Sequence, residues 1–333
     1  MIGILALVAC VELHVPGADD PRWTSWDDSP AAQRVEVRVA TWNVESLGEP
    51  GSVQYEAVAK VLRRLDADVV LLNEVGLAEH GWLASLGESA GYPVVEVAEE
   101  VPYGDLGNAV LSRLPLVEVA FPTSATLSGS GSAWDQTRFP AVLVSEIPGT
   151  GRELTVVGQH FKSGFDAVDV FRRNVDAVRV AQAAARWGGE LVVAGGDLNE
   201  EVGSVPGAFA PFTMAPSGLP GGYRLGADVE GRLAAGGLPN DPFAPFREAG
   251  LTEVDAVQRD GGLATRPTSG RRIDHLYVSQ DVAVAGLRSE IYDSADEALD
   301  GLANKGARLD YNTVSQAADH LPILISFRVV SSP

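Results

Sequence analysis

From residue 34 the chain alternates apolar and polar side chains. Val35, Val37 and Val39 stand against Glu36 and Arg38, the two-residue period of a strand with one wet face. Ser52 is placed to cap a helix in which Val53, Ala57, Val58, Val61, Leu62 and Leu65 recur at helical spacing. Asp68 then opens an almost unbroken apolar run, Val69-Val70-Leu71-Leu72, which suits a strand covered on both faces. Further strands are expected over 93–97, 108–112, 116–120, 141–147, 154–159, 191–194, 273–278 and 321–330. Helices are expected over 169–187 and 245–249, the second stopped by Gly250. The Gly-, Pro- and Ala-rich stretch 202–237 reads as a long surface loop. Many strands with few helices predict an α/β chain of two sheets packed face to face, with helices outside. No internal repeat or composition break follows residue 34, so 34–333 is expected to be one domain.

Composition narrows this picture. Apolar residues make up 45% of the 333 and charged residues 21%, as in an ordinary folded protein. The net charge of −20 argues against passive, charge-driven binding of nucleic acid or anionic membrane. It is compatible with a protein that recruits divalent cations, which want clustered carboxylates. Cys10 is the only cysteine, so no intramolecular disulfide forms. Leu7-Val8-Ala9-Cys10 follows an apolar start and resembles the lipobox of bacterial lipoproteins, although no Lys or Arg precedes the run and the run is short. The competing reading of 1–33 is a frayed apolar N-terminus or a buried first strand, followed by a linker. The lipoprotein reading is the expectation, and with it attachment to the membrane through Cys10 and an extracytoplasmic location. No other stretch is long and apolar enough to span a bilayer.

Chemistry is concentrated where apolar runs end. The runs finish Thr41-Trp42-Asn43-Val44-Glu45, Leu71-Leu72-Asn73-Glu74, Gly158-Gln159-His160-Phe161-Lys162-Ser163 and Ala194-Gly195-Gly196-Asp197-Leu198-Asn199. Taken singly, Glu74 reads as a helix or turn cap and Glu45 as a solvated acid, while His160, of a type that is more often structural, is tilted toward anion handling by its companions Lys162 and Ser163. Asp197 and Asn199, two apart in extended chain, point the same way and offer an anionic oxygen and an amide to one water or phosphoryl oxygen. Asp274 lies inside an apolar strand and needs a partner, for which a histidine is the usual choice. Its neighbour His275 must face the other way and reads as structural. Asp319-His320 opens the last strand with two side chains that diverge.

With Asn43, Glu74, His160, Asp197, Asn199, Asp274, Asp319 and His320 in this order, the chain resembles the endonuclease/exonuclease/phosphatase superfamily from about residue 34 to 330. The resemblance implies a four-layered α/β sandwich of two packed mixed sheets, with the site at one end. It implies a divalent cation, Mg²⁺ with Mn²⁺ or Ca²⁺ as alternatives, on Glu74 with Asn43 and Asp319. Asp197 and Asn199 then orient the attacking water and the phosphoryl oxygen. His160, and His320 paired with Asp274, flank the scissile phosphate, and Arg138 lies near it. Glu45, Tyr103 and Asn108 stand in regions that contribute to the site in some relatives.

The resemblance covers nucleases, sphingomyelinase-like diesterases and inositol-phosphate phosphatases. His160 to Gly164, His-Phe-Lys-Ser-Gly, resembles a segment of bacterial secreted nucleases, so a phosphodiester of nucleic acid is the expected substrate and a monomer the expected state. Arg172-Arg173 and Arg271-Arg272 are candidate phosphate contacts, the first pair reading equally well as a solvated helix face. A lipid diesterase calls for an exposed apolar hairpin, for which Phe209 and Phe212 are poor candidates. A non-catalytic binding protein on the same scaffold is the rival from another class.

Overall fold

Each of two six-stranded sheets is built around one parallel pair of strands, and that arrangement sends the strand-end motifs to one end of the molecule. The computed structural model describes residues 34–201, 210–297 and 299–331. Cys10 and the tryptophan-containing linker expected over 11–32 lie outside them, as does Phe209. In chain order the elements are β1 (Arg34–Asn43), α1 (Val53–Leu65), β2 (Val69–Gly76), α2 (His80–Ala90), β3 (Val94–Val97), β4 (Leu106–Ser112), β5 (Leu116–Ala120) and α3 (Ser124–Ser128). There follow β6 (Ala141–Ile147), β7 (Arg152–Gly158), α4 (Ala167–Trp187), β8 (Leu191–Asp197), α5 (Ala227–Ala234), α6 (Ala244–Glu248) and β9 (Thr252–Glu253). The chain closes with β10 (Asp274–Val278), α7 (Gln280–Val284), β11 (Arg288–Ile291), α8 (Thr313–Ala317) and β12 (Ile323–Val330). The sheets run β11-β12-β1-β2-β4-β3 and β5-β6-β7-β8-β10-β9, two mixed sheets with helices on their outer faces.

β1 pairs parallel to β2 with Asn43 opposite Asn73, and β7 parallel to β8 with Gly158 opposite Gly195. The carboxyl ends of a parallel pair are where open α/β sheets hold their ligands. β12 runs antiparallel to β1, and β10 to β8 with Asp274 opposite Asp197, so the starts of β10 and β12 arrive at this same end. Leu71, Val156, Val193 and Ile325 are fully buried in the core between the sheets. Each removes about 1.5–3 kcal/mol of apolar side chain from water. The sheets approach so closely that a Cβ at Gly158 would lie 2.8 Å from Leu71 Cδ2.

Local signals account for the long helices. Ser52 Oγ accepts from Tyr55 N at 3.2 Å, and Ala57, Val58, Val61, Leu62 and Leu65 face inward on α1. Asp166 caps α4 through the amides of Val168 and Asp169, each at 2.9 Å. The surface-loop reading of 202–237 is corrected for its described part, because Val229 and Leu233 of α5 pack with Phe171, Val175 and Val178 of α4. Phe212 is drawn into the same cluster, edge-on to Phe171 at 5.2 Å, and forms no apolar prong. Nor is Arg172-Arg173 a solvated face, both being buried. Among the described residues no helix is long and apolar enough to cross a membrane.

Candidate active site

The ends of β1, β2 and β8 leave regular geometry just where their polar residues begin. Glu45, Glu74 and Asn199 adopt φ of 49°, 63° and 53°, the left-handed region that non-glycine residues occupy only when the surroundings hold them there. Glu74 is the extra residue of a bulge between Asn73 and Val75, which turns its carboxylate out of the β2 ladder. Buried Glu79 fastens both turns, accepting from Leu47 N at 3.1 Å, Gly76 N at 2.8 Å and the Ser46 hydroxyl. Gln54 Nε2 adds bonds to the carbonyls of Glu45 and Ser46 at 3.2 and 2.9 Å.

Asp197 is the hub. Its Oδ2 accepts from Asn43 Nδ2 and its Oδ1 from Asn199 N, both at 2.9 Å. Two imidazoles face it, with His160 Nε2 at 3.5 Å and His320 Nε2 at 3.9 Å. His160 Nε2 also lies 3.0 Å from Asn199 Nδ2 and 3.6 Å from Glu74 Oε1. His320 Nδ1 meets Asp274 Oδ2 at 2.8 Å, the partner that a buried strand aspartate requires. His320 Nε2 is 3.6 Å from Asp319 Oδ1. One constellation thus gathers Glu74, His160, Asp197, Asn199, Asp274, Asp319 and His320, with Asn43 bonded to its centre. His275 faces away, between Glu253 Oε1 and the Glu200 carbonyl at 3.0 and 2.9 Å.

A chain of buried amides ties the two sheets together beneath this point. Asp197 N donates to Asn73 Oδ1 at 2.9 Å, Asn73 Nδ2 to Asn108 Oδ1 at 2.8 Å and Asn108 Nδ2 to Gln159 Oε1 at 2.8 Å. Asn108 therefore supports the site from below. The fit leaves no room for side chains on the β8 glycines. A Cβ at Gly196 (φ 143°) would meet the Gln159 carbonyl oxygen at 2.0 Å and Asn73 Oδ1 at 2.9 Å. Gly196→Ala is expected to cost more than about 3 kcal/mol in urea unfolding, the range of severe single substitutions; a loss under about 1 kcal/mol would mean that the sheets separate easily here.

Charge divides the two histidines. Burial, reinforced by Arg138, His320 and Lys162, holds His160 well below the usual imidazole range, so it is neutral. Burial also works against the charged form of His320, but the carboxylates of Asp274, Asp197 and Asp319 outweigh it and raise the imidazole to about 10. Burial and the facing Asp274 push Asp197 up to about 7. Because the folded value of His320 lies above the ordinary 6.5, its stabilising contribution is complete below pH 6.5 and is lost as pH rises toward about 10. In metal-free protein, ¹⁵N NMR at pH 7.5 is expected to find His320 doubly protonated and His160 neutral; a neutral His320 would contradict the charge assignment.

The remaining candidates take less direct places. Arg138 donates to the Leu106 carbonyl at 3.0 Å, and Glu74 and Asp197 are near enough to favour its charge although burial lowers its pKa. The Asp319 carboxylate is gripped by Arg266, from Nε at 2.7 Å and from the terminal nitrogen at 2.6 Å. Glu45 is raised by burial and by Asp319 and Glu74, so three acids crowd one rim. Lys162 turns to Asp169 at 3.2 Å. Arg271 and Arg272 pair with Glu201 and Glu253, each at 3.2 Å. Tyr103 carries the Arg172 guanidinium over its ring, 4.9 Å from the centroid.

Sequence reasoning did not find Arg266, Glu79, the amides of Asn73 and Gln159, or buried Thr265, whose Oγ1 accepts from Ile273 N and Asp274 N at 3.0 and 3.1 Å. Trp42 Nε1 donates to the His320 carbonyl at 2.9 Å, a further unforeseen support. Only the interruption of apolar runs by Asn73 and Gln159 signalled any of these beforehand.

The donor set suits a hard cation. Glu74, His160 and Asp197 each bring one ligand atom to within 4.8 Å of the others, and Asp197, Asp274 and His320 form a second such group. Asp274 Oδ1 is buried and has no hydrogen-bond partner among the described residues. Carboxylate oxygens predominate and no thiol takes part, the chemistry of Mg²⁺, Mn²⁺ or Ca²⁺ sites.

Solved structures of similar fold include an endonuclease/exonuclease/phosphatase from Beutenbergia cavernae, 19% identical, with a TM-score of 0.53 over 89% of this chain and 72% of that one. D. rerio TDP2 complexed with single strand DNA product is 15% identical, with a TM-score of 0.51 over 88% of this chain and 98% of that one. Beta toxin from Staphylococcus aureus is also 15% identical, at 0.51 over 87% and 99%. No curated protein matches the chain in sequence. The endonuclease/exonuclease/phosphatase family model matches residues 40–296, which include most of the strand-end motifs and all of the second sheet, and the chain belongs to that family.

Proposed function

We propose that this protein is a divalent-metal-dependent phosphodiesterase that cleaves nucleic acid. The observation that carries the reading is Asp197, a buried carboxylate oriented by two amides and raised to about 7, with a neutral and a cationic imidazole on it. A base near neutrality both accepts a proton from water and is regenerated at physiological pH. Asp197 takes the proton of the attacking water while Asn199 and Asn43 hold the carboxylate in place. His320, kept cationic by Asp274, faces the phosphoryl group and stabilises the charge that develops there. Neutral His160 accepts from Asn199 Nδ2 and so aims that amide at the phosphate, with Arg138 adding positive potential behind it. Glu74, Asn43 and Asp319 would hold the cation, which when bound offsets phosphate charge and stabilises the leaving oxygen.

The preference for nucleic acid is supported by the His160–Gly164 segment and by family likeness to a fold that elsewhere holds a single-strand DNA product. The test is hydrolysis of single-stranded DNA, plasmid DNA, RNA, sphingomyelin and inositol phosphates with Mg²⁺ or Mn²⁺. Cleavage of a nucleic acid faster than the other substrates is expected. Failure on every substrate transfers the case to a non-catalytic binding protein.

A further inference from the structure

Three arginines of α4 are buried, and one of them makes no ion pair among the described residues. Arg173 reaches Glu200 at 2.9 Å, and Arg179 binds Asp135 and Asp228. Arg172 is only 5% exposed, yet no carboxylate among the described residues lies within ion-pair distance, and its Nε and Nη2 are buried without any hydrogen-bond partner. Its guanidinium lies over the rings of Tyr103 and Tyr223, 4.9 and 5.6 Å from their centroids. Cation–π attraction offsets only part of the cost of withdrawing a guanidinium from water. Both phenol oxygens are themselves buried, with no hydrogen-bond partner among the described residues. Burial keeps both phenols protonated, so each has a hydrogen to donate. Among the described residues no acceptor hydrogen-bonds these donors, and the carboxylates of Asp176 and Asp135 act on the cluster only through space, so its direct partners are missing on the acceptor side.

Its position adjoins the catalytic centre. Arg172 lies one helical turn before Asp176 on the same face of α4. Asp176 accepts from Thr137 N at 2.7 Å and Lys162 N at 3.4 Å, the backbone beside Arg138 and His160.

We propose that Arg172, Tyr103 and Tyr223 form a second phosphate subsite, which takes a phosphate of the same substrate one or more linkages from the scissile one. The inference rests on the phosphodiesterase reading and narrows it to substrates carrying several phosphates, with a nucleic-acid strand as the favoured source. A guanidinium matches a phosphate with paired N–H donors, and the two phenol hydroxyls beside it can donate to the same anion.

Two measurements test this. Inorganic phosphate titrated into the metal-free protein, followed by the shift in unfolding midpoint, is expected to bind at least fivefold more weakly to Arg172→Met than to wild type. With Mg²⁺ present, Arg172→Met is expected to lower kcat/KM at least tenfold more on a single-stranded DNA decamer than on bis(p-nitrophenyl) phosphate, whose one phosphate cannot occupy both places. The double variant Tyr103→Phe/Tyr223→Phe keeps the rings and the arginine, so it gives a smaller shift of the same kind should Arg172→Met fail to fold. A loss confined to inositol hexakisphosphate keeps the subsite but changes the source of its phosphate. Equal phosphate affinity in wild type and Arg172→Met, or equal losses on decamer and small diester, overturns the proposal. If wild type cleaves nothing yet Arg172→Met still loses phosphate affinity, the anion site stands and the phosphodiesterase reading falls.

Discussion

Asp197→Asn is expected to lower phosphodiester hydrolysis by about 10²–10⁴-fold, the usual worth of a positioned acid–base group. The asparagine keeps the size of the side chain and an oxygen to accept from Asn199 N, while its nitrogen replaces the acceptor of Asn43 Nδ2, so urea unfolding of the variant is measured alongside the rate to separate proton transfer from loosening of the turn. The fall is expected in kcat with KM little changed, because the carboxylate acts on the water and not on the bound substrate. Activity within tenfold of wild type would remove Asp197 from the chemistry. A stability signature accompanies the change. The Asp197 carboxyl lies at about 7 in the folded protein against 3.8 in an ordinary aspartate, so the folded state binds the extra proton between these values. Its stabilising contribution is complete below pH 3.8 and lost as pH rises through about 7. In metal-free protein, Asp197→Asn should therefore gain stability relative to wild type as pH is raised across that window. A pH-independent difference would mean that the carboxyl titrates normally.

Removing the divalent cation is expected to have the other large effect. Stabilisation of the developing charge by a bound ion is worth several kcal/mol, so EDTA should reduce the rate roughly 10³-fold or more, with recovery on adding excess Mg²⁺. Glu74→Gly separates the ligand from its strained backbone. The substitution deletes the carboxylate, yet glycine adopts φ 63° freely where glutamate is held there at a cost of about 1–3 kcal/mol. Activity should fall as it does in EDTA while the unfolding midpoint in urea stays level or rises. A variant that remains active at ordinary Mg²⁺ concentration would show that Glu74 is not the principal ligand. Resistance of the wild type to EDTA would count against a metal requirement altogether.

The two effects share an origin in how the chain ends its strands. Asn43, Glu74, His160 and Asp197 were visible because each interrupts or closes an apolar run, and a polar residue there needs a reason. Asp274 was visible on the same ground, and its partner proved to be His320 at 2.8 Å. The period-two start of β1 and the helical pattern of α1 were likewise legible, since α1 and the first half of β1 each bury one face against the core. Other elements were not. α2 carries two glycines, α5 sits inside a glycine-rich stretch with only Val229 and Leu233 facing inward, and β9 is two residues long. Their conformations come from what they pack against, and local propensity says little about them.

The sequence by itself determined the class of fold, the ends of the principal strands and the kinds of side chain placed there, because burial patterns and polar interruptions are local properties of the chain. Tertiary structure alone decided how those side chains are used. The opposition of Asp197 and Asp274 is a matter of strand register, and the grip of Arg266 on Asp319 joins residues 53 apart. The Asn73–Asn108–Gln159 relay crosses from one sheet to the other. The same holds for the charges on the two histidines, one silenced by burial and the other sustained by carboxylates. A protonation state depends on the desolvation and fields of the assembled site, which no stretch of sequence contains.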